Sequence, residues 1–145
     1  MIDSKDLMIG DWVMLKGELS PQVVQELLFD CVTIQCWPHR YGDISPVPLT
    51  PEILEKNGFK IIHGHGYSDT HPTFGWGYLN DVTDHAYIEV SFYDEPIGGV
   101  STLVKMEVNS SSGGGINTVH SCDIDYVHQL QHAIRLCGID FDFKV

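Results

Sequence analysis

Short apolar runs broken by turn residues fill the first third of the chain. DWVMLK (11–16) reads as a strand closed by a turn at Gly17, and VVQELLF and CVTIQCW follow at strand length, with Asp30 between them. Short strands joined by tight turns predict a small SH3-like, barrel-like cluster. HRYGDISPVPL then leaves it, and its prolines argue against a central strand.

The clearest local pattern is LTPEILEKNGF. Thr50 suits an N-cap, and Pro51 stands at the first helical position, where its missing N–H costs nothing. Glu52 favours the helix dipole, and Leu49 is placed to pack on Leu54 as a hydrophobic staple. Gly58 supplies a left-handed stop, so a short helix over 51–57 is expected.

Two strands follow, HAYIEVSFY and VSTLVKMEV, with DEPIGG as the turn between them. Ala86, Ile88, Val90 and Phe92 alternate with polar residues, which buries one face of the first. Val100, Leu103 and Met106 do not alternate cleanly, which suggests a bulge or a twisted edge in the second. NSSSGGGIN reads as a loop. In SCDIDYVHQLQHAIRLCG, Val127, Leu130, Ile134 and Cys137 form an apolar helix stripe, capped by Ser121 or Asp123 and ended by Gly138. Ile139, Phe141, Phe143 and Val145 then alternate as a half-buried terminal strand.

The expected fold class is therefore α+β: a barrel-like strand cluster (1–48), then a capped helix and an antiparallel sheet covered by the C-terminal helix (49–145). The 145 residues are read as one co-folded domain.

Charge narrows the function. Twenty acidic residues stand against eight Lys and Arg, a net charge of −12. A phosphate-backbone binder needs clustered cations, and here two arginines and six lysines are scattered. Direct nucleic-acid binding is thus disfavoured, as is an anionic membrane surface. No run of 18 apolar residues spans a bilayer, and MIDSKDLMIGDWV lacks the form of a secretion signal, which points to the cytoplasm. Four cysteines without a C-x-x-C pair fit reduced, mostly buried thiols. Read as one strand, CVTIQC separates Cys31 and Cys36 by roughly 17 Å, too far for a disulfide.

The most suggestive chemistry is in HGHGYSDTH. His63 and His65 are two apart, so in a strand they point one way, and Asp69 or His71 could complete a tetrahedral site for zinc or another divalent cation. The spacing fits the H-x-H-x-D-H string of metallo-hydrolases only loosely, and a glycine-rich polar loop without a cofactor is the preferred reading. His128 and His132 share a helix face with Gln129, Gln131 and Arg135, which reads as a solvated surface. Phe74, Trp76 and Tyr78 alternate, so they could form an aromatic binding surface, a core layer or a protein interface. No G-x-S-x-G elbow or phosphate loop is present, and no nucleophile has an evident base beside it.

IGDWV, ISPVPLTPEILEKNGF and YVHQLQ together resemble a group of small uncharacterised proteins from gut Bacteroidetes and their phages. Those proteins carry a P-L-T-x-E-x-L-x-x-x-G-F helix and a C-terminal V-H-Q-L-Q helix. The resemblance covers about half of the chain and implies a single folded unit of bacterial or phage origin, with no catalytic residue carried over. The expected function is a non-enzymatic binding or interaction protein acting on a protein partner. One alternative is a metal-dependent hydrolase built on His63, His65, Asp69 and His71; another is an acidic mimic of nucleic acid.

Overall fold

The computed structural model describes residues 2, 4–62, 72–79, 85–94, 100–109, 117–122, 124–136 and 138–145. It is a mixed α+β structure with two antiparallel sheets and two α-helices among these residues, α1 (Pro51–Lys56) and α2 (Val127–Leu136). The chain divides into two compact units: Met1–Leu49 with Tyr126–Phe143 and Val145, and Thr50–Asp125 with Lys144.

The first unit holds β1 (Trp12–Leu15), β2 (Gln22–Leu27), β3 (Cys31–Ile34), β4 (Trp37–Arg40) and β5 (Ile44–Pro46). Their order is β4-β3-β2-β1-β5, with a 3-10 turn (Tyr41–Asp43) leading into β5. That order and that turn make the SH3-like arrangement expected of short apolar runs. Pro46 lies in an edge strand, where a missing N–H breaks no ladder. Val13, Val24, Val32 and Ile34 are fully buried and meet Ile2, Leu7 and Ile44 in one core.

The β3–β4 connection differs from the expected continuous strand. Gln35 and Cys36 take φ of 52° and 68°, two left-handed residues in a two-residue hairpin turn. Neither is glycine. Side chains hold the turn instead: Cys36 N donates to Gln25 Oε1 at 2.7 Å, and Gln35 Nε2 donates to Gln22 Oε1 at 2.7 Å. A register shift at Val24/Glu26 in β2 puts an irregularity beside these contacts. The turn corrects two expectations at once, because Cys31 and Cys36 do not share a strand and Cys36 is exposed.

Helix α2 belongs to this unit and packs on β1. Val127, Leu130 and Ile134 are buried as expected. The helix begins at Val127, later than either proposed cap, and Tyr126 N donates to Gln129 Oε1 at 3.1 Å at its start. Gly138, at φ 73°, ends it, and Ile139 N donates to Ile134 O. The terminal run keeps its alternating burial, with Ile139 and Phe143 inside, but it joins no sheet. Trp12 Nε1 donates to Phe143 O at 2.8 Å, so a side chain takes the place of a neighbouring strand.

The second unit contains α1, β6 (Lys60–Ile62), β7 (Thr73–Leu79), β8 (His85–Asp94), β9 (Val100–Asn109) and β10 (Asn117–Cys122), in the order β10-β9-β8-β7-β6. Helix α1 is capped as its sequence dictates. Thr50 Oγ1 accepts from Ile53 N, Gly58 takes φ 81°, and Phe59 N donates to Leu54 O. Ile88, Val90 and Phe92 are buried. β8 and β9 pair in unbroken register from His85↔Asn109 to Asp94↔Val100, so the bulge expected in β9 is absent. The irregular apolar spacing has a simpler cause. β9 is an interior strand, flanked by β10 (NTVHSC), of which Asn117 was read as the end of a loop and Ser121 as a candidate helix cap. Lys144 joins this unit through Asn57: Lys144 N donates to Asn57 Oδ1 and Asn57 Nδ2 to Lys144 O, each at 2.7 Å.

Candidate functional site

The strongest polar constellation lies where β1 begins and α2 passes over it. Asp11 is wholly buried, which for a carboxylate demands partners. It has three. Oδ2 accepts from Met8 N at 2.7 Å and faces His132 Nε2 at 2.7 Å, while Oδ1 accepts from Arg135 Nη1 at 3.0 Å. Gly10 makes room for this, since at φ 89° a Cβ there would stand 3.0 Å from Arg135 Nη2. Gln131 adds a second clamp: its Nε2 donates to Gly10 O at 3.0 Å and its Oε1 accepts from Trp12 N at 3.1 Å. Its side-chain amide therefore bonds the strand as a neighbouring backbone would.

One face of α2 thus presents His128, Gln131, His132 and Arg135 at three- and four-residue spacing. The sequence placed these residues on a solvated surface, and that expectation is corrected: His128 is 4% exposed and Gln131 is also buried. No local pattern signals this burial, because the partners of Asp11 lie 121 and 124 residues along the chain. His128 stacks on Tyr126 at 5.9 Å between centroids and meets His132 edge-on at 5.8 Å. Its Nδ1 is enclosed without a hydrogen-bond partner. Burial pushes the His128 imidazole below its ordinary pKa, and neighbouring His132 adds to this, while Asp11 and Asp6 pull the other way.

A cavity of about 360 Å³ opens beside these rings, lined by Lys5, Asp6, Tyr126, His128, Gln129 and His132 among others. Among the described residues, no group of three or more His, Cys, Asp and Glu side chains is placed to hold a metal ion. The His63, His65, Asp69 and His71 candidates lie outside the described residues.

The aromatic surface proposed on β7 is only partly available. Phe74 is 1% exposed and meets Phe92 edge-on at 6.0 Å, so it belongs to the core. Trp76 is half-buried, 6.4 Å from Phe59 between ring centroids. The side chain of Tyr78 lies outside the described residues.

Large apolar side chains do reach solvent in the first unit, at positions the sequence did not single out. Leu19 and Phe29 are fully exposed and Trp37 is 70% exposed. Leu19 lies in the β1–β2 connection and Trp37 starts β4 after the Gln35–Cys36 turn, so both stand at one end of the sheet. A hydrogen-bond chain from Gln35 through Gln22 to Ser20 ties that end together. No helix among the described residues is long and apolar enough to cross a membrane. Compared with protein-family models, curated proteins and solved structures, the chain finds no match.

Proposed function

We propose that this is a non-enzymatic binding protein that engages a protein partner through the Leu19–Trp37 end of its first sheet. The observation that carries the reading is a tryptophan held 70% exposed beside a hydrogen-bonded turn. Isolated surface apolar residues are ordinary, but large ones grouped on a braced edge are typical of contact surfaces. Because the turn is already fixed, binding orders little, and each apolar side chain buried contributes about 1.5–3 kcal/mol. The polar atoms of Asp11, by contrast, are satisfied internally, which supports a structural role for the charged cluster. The sequence strings IGDWV and YVHQLQ support an origin as a cytoplasmic accessory of a gut Bacteroidetes mobile element or phage.

The test is affinity capture from the producing cells with the wild-type chain and with a Leu19→Ser, Trp37→Ser variant. The variant should keep the wild-type melting temperature and lose the captured partner. Equal capture of the same partner by both proteins refutes the reading.

A further inference from the structure

The cavity beside α2 carries chemistry that the internal Asp11 cluster does not absorb. Among the described residues, the His128 Nδ1 is a buried polar atom without a hydrogen-bond partner, and such atoms in native proteins call for an explanation. A bare lone pair is tolerated there better than an N–H without an acceptor, so the proton of the neutral ring resides on Nε2. Since Nδ1 is enclosed and His128 lines the cavity, Nε2–H is the polar group of this ring left to meet a ligand there. His132 lines the same cavity, and its Nε2 faces the Asp11 carboxylate at 2.7 Å, which fixes the orientation of the ring. The two rings stand 5.8 Å apart on one wall.

We propose that this cavity binds an uncharged, hydroxyl-rich small molecule of monosaccharide size, with the paired His128 and His132 rings reading adjacent hydroxyl groups. A hydroxyl both donates and accepts, which suits a wall of two imidazole rings, whose nitrogens can do either. The volume of about 360 Å³ sits at the small end of ligand cavities. Lys5 and Asp6 bring one positive and one negative charge to the lining, which offset each other there, and the chain's net charge of −12 disfavours an anion. Tyr126 also lines the cavity, its ring near-parallel to that of His128 at an interplanar angle of 15°, and an aromatic ring is a surface on which the C–H face of a sugar packs. The site is separate from the Leu19–Trp37 surface, so either reading can fail without the other.

The experiment is a titration of the full chain followed by amide and imidazole NMR, using galactose, glucose and mannose as probes and glycine and inorganic phosphate as charged comparisons. At least one sugar should shift Tyr126, His128, Gln129 and His132 saturably, with millimolar affinity, while glycine and phosphate leave them unmoved. His128→Phe keeps the ring's shape, relieves the unpartnered nitrogen and should fold as well as the wild type, yet bind about tenfold more weakly, as loss of one discriminating hydrogen bond implies. The proposal is overturned if none of the sugars shifts these residues, if glycine or phosphate binds more tightly than the sugars, or if His128→Phe binds like the wild type. The wild-type titration decides by itself should the variant misfold.

Discussion

Replacing Asp11 by alanine tests whether one buried carboxylate joins β1 to α2. The substitution removes the acceptor for Met8 N, His132 and Arg135 together. Removing one member of a buried ion pair costs about 3–5 kcal/mol, because the partner is left desolvated and uncompensated. The lower end applies here. The His132 and Arg135 side chains are 19% and 36% exposed, so both can turn partly to water once released. A loss of about 3 kcal/mol should lower the melting temperature by roughly 10 °C in a chain of this size. Asp11→Asn retains one acceptor oxygen and should lose about half as much. Urea unfolding followed by circular dichroism measures both, and a double-mutant cycle with Arg135→Met should show a coupling of about 1 kcal/mol or more. An Asp11→Ala protein within about 0.5 kcal/mol of the wild type, or a cycle with no coupling, would refute the clamp.

Three further outcomes are expected. Gly75→Ala should destabilise the second unit by about 1–3 kcal/mol, because a Cβ there would run into Ile62 and come within 2.7 Å of Tyr87 Oη; an unchanged melting temperature would contradict that crowding. Stability should fall as the pH drops below the ordinary imidazole value of about 6.5, since burial lowers the folded pKa of His128 and the unfolded chain takes up the proton first. His128→Phe should remove part of that slope, and an identical pH profile for variant and wild type would count against it. Native alkylation with peptide mapping should label exposed Cys36 before Cys31, whose thiol is pushed up in pKa by desolvation and then by Asp30; the reverse order would contradict the turn geometry.

Local physics was legible wherever the deciding partners lie within a few residues. Helix α1 follows from Thr50, Pro51 and Gly58, all within its own ends, and the buried face of β8 follows from the alternation of Ile88, Val90 and Phe92. The short strands of the first unit were likewise visible, because apolar runs of that length between turn residues leave few alternatives. The Gln35–Cys36 hairpin was not, because two residues without glycine are held left-handed by Gln25 and Gln22, contacts that require the sheet to exist first. β10 was missed for a related reason. NTVHSC has little pattern of its own and becomes a strand by pairing with β9.

The candidate site belongs wholly to tertiary structure. His132 and Arg135 show helical spacing in the sequence, but spacing alone says nothing about which face meets solvent. Asp11 lies 121 residues before the first and 124 before the second. Only folding brings them to one carboxylate, because a buried charge is compensated by whatever groups the core places beside it, however distant in the chain. The terminal residues make the same distinction on a smaller scale. Their alternation determined that Ile139 and Phe143 are buried, while folding alone decided that the indole of Trp12 takes the carbonyl of Phe143. Sequence set the local conformations and the apolar faces; long-range pairing decided what those faces met, since hydrogen-bond partners far along the chain leave no periodic trace in it.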